Sequence, residues 1–331
     1  MPALVTGCAG FIGSHLTEAL LSDGQDVVGV DCFNDNYGRT HKLRNLERAL
    51  AHERFEFVPV DLARGDLEEF VAASDVVFHL AAEPGVRSSW GARFETYLRN
   101  NVVATQHLLE ATRRHPSTRL VYASSSSVYG DAECYPTLET ATPRPYSPYG
   151  VTKLAAEHLC LLYRRNFDLE TVALRFFSVY GPRQRPDMAF SRFLHAALDG
   201  DPVHILGDGG QTRDFTYVDD VVAALRAAAE ASSAPGRIYN VGGGTRASVN
   251  HVLELIAGMI GHPLEIERAP AEHGDVRDTS ADIQLAAAEL DYRPSASLED
   301  GLSVQLDWTV KLRAQLVETR SQSRRASTSL R

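Results

Sequence analysis

Cysteine is scarce: the 331 residues hold four, at Cys8, Cys32, Cys134 and Cys160, with no C-x-x-C pair among them. A disulfide framework and a cysteine zinc site are both excluded. The twelve histidines show no H-E-x-x-H or comparable ligand spacing, so no metal is expected. Also missing is any run near the roughly 18 apolar residues that a membrane helix needs, so no membrane span is expected. Positive charge is not in excess either. The 33 Lys and Arg against 43 Asp and Glu leave a formal charge of −10, which argues against a nucleic-acid surface but not against a small anion held in a local basic pocket. The opening "MPALVTG" lacks the charged segment, apolar core and cleavage site of a signal peptide, and the expected location is the cytoplasm.

What is present is a repeating alternation. Short apolar runs, "ALVT", "DVVGV", "FEFVPV", "DVVFHL", "RLVYAS" and "TVALRF", are separated by helix-length segments. Strands apolar on both faces and joined through helices predict parallel βαβ units, hence an α/β fold with a doubly wound parallel sheet of the Rossmann type. That layer is expected over residues 1–175, with part of 213–240 returning to it. After about residue 175 the connections turn rich in Gly, Pro and Asp ("YGPRQRPD", "GDGGQTRD", "VGGGTR"), which predicts a smaller mixed α/β domain over 176–312. The polar and basic end is expected to be a flexible tail over 313–331.

The first strand runs straight into "GCAGFIG". Gly7, Gly10 and Gly13 would allow a tight turn, close approach of a pyrophosphate to the backbone, and tight helix packing, while the helix N-terminus offers free N–H groups. Asp31 ends the second strand near the offset at which a carboxylate binds the ribose hydroxyls of a dinucleotide. An acid there repels a 2′-phosphate, so NAD is preferred over NADP. Asp61 and Leu62 end the third strand. They either flank the adenine or, in the case of Asp61, cap a helix.

Tyr149 and Lys153 stand four apart in "SPYGVTK", after Pro148, where a helix is predicted. That spacing puts both on one helix face. An ammonium beside a phenol, helped by a positive nicotinamide, would lower the phenol pKa and make a proton-transfer pair.

Taken together, "GCAGFIG", "SSSSVYG", "YGVTK" and "RDFTYVDD" resemble the extended short-chain dehydrogenase/reductases that act on nucleotide sugars, over nearly the whole chain. The resemblance implies Ser125 as the catalytic hydroxyl, Tyr149 as acid/base and Lys153 as its electrostatic partner and ribose ligand. It also implies Phe11, Ile12, Asn34, Leu80, Ala81, Ala82, Asn100 and Phe176 around the cofactor, with Phe177 beside the sugar. Dehydrating relatives carry Asp-Glu just before V-Y-G and decarboxylating ones usually Glu. Here Ser126 and Ser127 stand there, leaving no acid/base for elimination. What remains is oxidation at the sugar 4-carbon, turning of the ketose and its reduction on the other face, with NAD regenerated.

Within that family "FNDNYG", "AAEPGVRSSW", "RFFSVYGP" and "RPDMAF" resemble most the UDP-glucuronate 4-epimerases. A sugar carboxylate needs hydroxyl donors and a cation to replace its water. Ser126, Ser127 and Ser178 would supply the hydroxyls, and Arg185 or Arg87 the charge. A 4-keto acid of this kind loses carbon dioxide when the breaking bond aligns with the carbonyl π system, and fixed hydroxyls would hold it out of that alignment. Arg213 matches the family arginine on the diphosphate. A second phosphate arginine found in many relatives is replaced by "EHGDVRD", where Arg277 is the candidate substitute. Thr279 stands where hexose-only epimerases often carry a bulky tyrosine, which leaves room for an N-acetyl hexosamine. UDP-glucose or UDP-N-acetylglucosamine 4-epimerase and UDP-glucuronate decarboxylase are thus the alternatives within the family. A net NAD-dependent sugar dehydrogenase and a redox-silent NAD-binding regulator are those outside it. A homodimer is expected through "TYLRNNVVATQHLLEATRR" and "SPYGVTKLAAEHLCLLYRR", which resemble the dimerising helix pair of the family, although an apolar stripe also serves packing within one chain.

Overall fold

The first strands in chain order are β1 (Ala3–Thr6), β2 (Val27–Val30), β3 (Phe55–Val58), β4 (Val76–His79), β5 (Arg119–Ser125) and β6 (Thr171–Phe176). Every residue of β1, β4 and β6 is buried, which is why their sequences read as nearly unbroken apolar runs: a parallel strand covered on both faces has no side open to water. β3 lies at an edge and exposes Glu56. These elements come from a computed structural model that describes residues 2–34, 37–270, 272 and 274–328.

The chain continues through β7 (Ser178–Tyr180), β8 (Val203–Leu206), β9 (Thr212–Tyr217), β10 (Ile238–Val241), β11 (Arg246–Ser248) and β12 (Ile266–Ala269). β10 returns to the large sheet, whose order is β10-β6-β5-β4-β1-β2-β3, with all neighbours parallel. Strand order reverses between β1 and β4, and a doubly wound sheet takes its ligand in the crevice at the carboxyl ends of such a pair. On one face Leu16 and Leu20 of the helix Phe11–Ser22 meet Val221 and Leu225 of the helix Val218–Glu230. On the other, Leu108 and Leu109 of the helix Ala104–Arg113 meet Ala156 and Cys160 of the helix Pro148–Phe167.

The smaller layer is built on β9, which pairs parallel with β7 and antiparallel with β11, while β8 pairs with β12. Its core gathers Phe190, Phe193, Leu194, Val252, Ile256 and Leu302. Two features differ from the sequence expectation. The helix Gln284–Leu290 returns to the large layer, burying Ala286 and Leu290 there. The chain from 313 onward was expected to be a tail, yet the helix Leu298–Thr328 runs through it. Leu298, Leu302 and Leu306 anchor that helix on the small core, and once nucleated a helix extends at little cost. Leu312 is buried, and Arg313 donates to Asp199 at 3.0 Å. The side chains from 319 on, and residues 329–331 of the expected tail, lie outside the described residues. Among the described residues no helix is long and apolar enough to cross a membrane, and no cluster could hold a metal ion.

Candidate active site

The turn after β1 is shaped by what cannot fit in it. Gly7 has φ of +72°, and a Cβ at Gly13 would lie 2.1 Å from the Gly7 carbonyl oxygen. Helix and turn therefore touch backbone to backbone. Gly10 begins the helix Phe11–Ser22 without a side-chain cap, so its first N–H groups are left for a ligand such as a phosphate. Around this turn one cavity is lined by every residue expected at the dinucleotide: Gly7, Gly10, Phe11, Ile12, Gly13, Asp31, Asn34, Asp61, Leu62, Leu80, Ala81, Ala82, Asn100, Tyr149, Lys153 and Phe176. A glycine cradle under a bare helix N-terminus, with a carboxylate at the end of β2, fits a dinucleotide.

Asp31 is buried; it accepts from the Phe33 N–H at 2.7 Å and pairs with Lys42 Nζ at 3.3 Å. Lys42 was not anticipated, because on the charged helix Arg39–Leu50 it reads as one solvated lysine among several basic residues. Asp61 lies in the turn beyond β3, which ends at Val58, and caps no helix, since the next one begins at Glu68 without a side-chain cap. Asp61 lines the cavity and accepts from the Ala63 N–H at 3.0 Å, while Arg99 bonds its other oxygen.

Tyr149 enters the same cavity from the first turn of the helix Pro148–Phe167, which Ser147 caps by accepting from the Gly150 N–H at 3.1 Å. A Cβ at Gly150 would come within 2.5 Å of the Ser127 carbonyl oxygen, so the helix start packs directly on the serine run. The Tyr149 ring meets Tyr97 edge to face at 6.3 Å. Without the positive nicotinamide on which the expected lowering depends, the phenol pKa is raised: burial outweighs the opposing Ser125 hydroxyl and Arg185 charge. Lys153 is itself desolvated, with its pKa lowered to about 8. Its ammonium is committed to the Ala123 carbonyl at 2.8 Å and the Tyr122 ring at 5.0 Å. Ser125, at the end of β5, accepts from the Ser127 N–H at 3.1 Å.

The residues expected at the sugar divide into two groups. Arg185 lines the cavity with Tyr149 and is held by Asp187 through Nε and Nη2, at 3.0 and 2.8 Å. Burial works against its charge, but that carboxylate keeps the guanidinium pKa above its usual value. Ser126, Ser127 and Ser178 are half-buried, and among the described residues their hydroxyls make no hydrogen bond. Phe177 is buried against Val128, Tyr129 and Ala281. Unlike Ser125, Ser126, Ser127, Phe177 and Ser178, Ser124 lines the cavity, yet its hydroxyl is spent on Glu157 at 2.7 Å. The structure does not bring Arg87, Arg213 and Arg277 to that cavity. Arg87 lies by Trp90 and Tyr146, paired with Asp275 at 2.6 Å. Arg213 donates to the carbonyls of Thr212, Val276 and Arg277 at 2.9, 2.7 and 2.8 Å. Arg277 faces Asp208 at 3.5 Å on the surface. Thr279 accepts from the Asp214 N–H at 3.2 Å.

Residues 3–242 match the family described as NAD dependent epimerase/dehydratase. The chain belongs to that family. It is 45% identical over 313 residues to a Bacillus subtilis (strain 168) protein named "Uncharacterized UDP-glucose epimerase YtcB", covering 94% of this chain and 99% of that one. It is 36% identical over 310 residues to the UDP-glucuronate 4-epimerase of Thermodesulfobacterium geofontis, covering 92% of this chain and 95% of that one. Among solved structures, the UDP-glucuronic acid 4-epimerase from Bacillus cereus, in complex with UDP-glucuronic acid and NAD, superposes with a TM-score of 0.91 at 43% identity, covering 94% of this chain and 100% of that one. The epimerase/dehydratase family is NAD dependent, and NAD is the cofactor of this chain. Elimination by a family member needs a further acid/base near the sugar. Here the carboxylates that line the cavity, Asp31 and Asp61, are engaged by Lys42 and Arg99.

Proposed function

We propose that this chain interconverts UDP-glucuronate and UDP-galacturonate through a 4-keto sugar. One observation carries the choice of sugar: the buried guanidinium of Arg185 shares the cavity with Tyr149, where it would meet a sugar carboxylate close to the phenol. Bound NAD supplies a reversible two-electron acceptor. Tyr149 takes the proton of the 4-hydroxyl and later gives it back, and Ser125 steadies the oxygen between them. Because burial keeps the phenol protonated in the chain alone, its ionised form depends on the positive charge that the oxidised cofactor brings. Lys153, at about 8, is largely an ammonium near neutrality; it ties the helix to β5 through the Ala123 carbonyl, and its positive charge favours a negative phenolate. Arg185 and the serines hold the sugar carboxylate and keep its bond to carbon 5 out of line with the 4-keto π system.

A second reading, the neutral sugar UDP-glucose, is favoured by the name of the 45% identical relative. Incubation with UDP-glucuronate, UDP-glucose and UDP-N-acetylglucosamine without added NAD separates the readings. The expected result is the 4-epimer of the first, with only a small trapped reduced-nicotinamide absorbance. Steady accumulation of that absorbance would make the chain a net dehydrogenase, and neither product nor absorbance a binding module.

The domain division at about 175, a cytoplasmic location and a homodimer belong to the same proposal. The free cysteines suit a reducing compartment. Leu98, Val103, Val151 and Leu162 are exposed on the two helical segments expected to dimerise, and a second copy laid against them would bury an apolar four-helix face.

A further inference from the structure

Glu83 follows β4, is 2% exposed, and played no part in the sequence expectations. Three side chains from separate segments converge on its carboxylate. Asn34 donates through Nδ2 to Oε2 at 2.9 Å, Asn100 through Nδ2 to the same oxygen at 3.3 Å, and Arg93 through Nη2 to Oε1 at 3.0 Å. Both asparagines line the dinucleotide cavity, and Glu83 lies behind them.

An ionised carboxylate can only accept, so it dictates that each amide turns its NH₂ end toward it. Lys42, donating to Asn34 Oδ1 at 2.6 Å, enforces the same orientation from the opposite side. An amide nitrogen carries two N–H groups, and with one of each spent on Glu83 the second remains for a ligand. We infer that Glu83 is a positioning residue for the cofactor: it fixes Asn34 and Asn100 so that each offers one N–H to the oxygens of the bound NAD.

Arg93 balances the charge, since an unpaired buried carboxylate beside a diphosphate would repel it. The device matters to an epimerase, which must keep its reduced cofactor while the ketose turns. Removing the carboxylate should leave the turn in place, because the backbone of Glu83 is held separately by Asn101, whose Oδ1 accepts at 2.6 Å and whose Nδ2 donates at 3.0 Å.

The test is made on the full-length chain and reads bound dinucleotide, so it does not depend on which sugar is turned over. Parent, Glu83→Gln and Arg93→Ala are desalted extensively, their retained NAD is released and measured by mass, and the stripped proteins are titrated with NAD. Gln keeps the volume but is neutral, and its amide can turn either way. Loss of the charge-assisted contacts should raise the Kd for NAD about tenfold or more, and saturating NAD should recover turnover with the sugar KM unchanged. Arg93→Ala, altering a half-exposed guanidinium, should shift the Kd in the same direction by less. A Glu83→Gln protein that retains NAD like the parent, or whose lost turnover saturating NAD does not recover, overturns the inference.

Discussion

The part of the cavity around the glycine turn and the part around Arg185 are built by different means. Around the turn, the contacts offered to a ligand are mostly backbone, set by seven contiguous residues and two strand ends, and the charged side chains already have partners: Asp31 with Lys42, Asp61 with Arg99. Around Arg185 the contacts on offer are side chains, its own guanidinium and the Tyr149 phenol, while Ser126, Ser127 and Ser178, which do not line the cavity, have no hydroxyl partner among the described residues. The difference teaches which ligand stays and which leaves. A site complete before binding loses little order on holding its ligand and suits a resident cofactor. One whose cation must share its charge between Asp187 and an incoming carboxylate suits a substrate that has to go.

Tyr149 lies at the seam, and removing its hydroxyl should break the two parts apart functionally. In Tyr149→Phe the turnover of the nucleotide sugar should fall roughly 10²–10⁴-fold, while bound NAD and thermal stability stay near the parent values. Retained NAD measured alongside turnover is the check. Near-parental turnover would remove Tyr149 from its role, and loss of NAD would show that the two parts are not separable.

Arg185→Ala sharpens the comparison from the other side. If the cation meets a sugar carboxylate, the variant should lose about 10–100-fold in kcat/KM on UDP-glucuronate, the equivalent of ~1.5–3 kcal/mol for a charge-assisted contact, and far less on UDP-glucose. Equal losses on both nucleotides would assign Arg185 to the shared part of the ligand or to the fold.

The glycine part was legible in the sequence because its residues are contiguous and each has a backbone reason to be there. Gly13 cannot be replaced without striking Gly7, and Asp31 directly follows β2, whose apolar run is plain. Lys42 was invisible for the reverse reason, since burial of one lysine on a charged helix leaves no periodic trace. The pair Arg175–Glu157, fully buried at 2.6 Å, was missed in the same way: Glu157 ties Ser124 to the helix Pro148–Phe167, so one of the four serines is a tether. For Arg213 the motif named the residue but not its partners, and the guanidinium holds three carbonyls. The last helix was hidden by its Arg- and Ser-rich end, although Leu298, Leu302 and Leu306 carry the helical spacing that anchors it.

The smallest expected effect contrasts two buried groups, one in each layer, through their opposite response to acid. His79, between the Thr6 and Thr105 hydroxyls at 2.8 and 2.9 Å, is pushed by burial from 6.5 to about 3. On acidification the unfolded chain takes that proton first, so stability falls as pH drops below about 6.5. Asp214, on β9 of the small layer, accepts from the N–H groups of Gly243 and Ala281, at 2.7 and 2.9 Å, and burial raises it from 3.8 to about 6. Here the folded chain takes the proton first, so acidification from about 6 toward 3.8 adds stability and offsets part of the His79 loss. Asp214→Asn removes that offset. Whatever constant destabilisation it brings, its stability should fall more steeply than the parent's below about pH 6, by up to on the order of 1 kcal/mol per pH unit. Urea midpoints of the two proteins across that window provide the check. Parallel curves would mean that Asp214 is ionised in the folded chain throughout, and that the two layers do not answer acid in opposite senses.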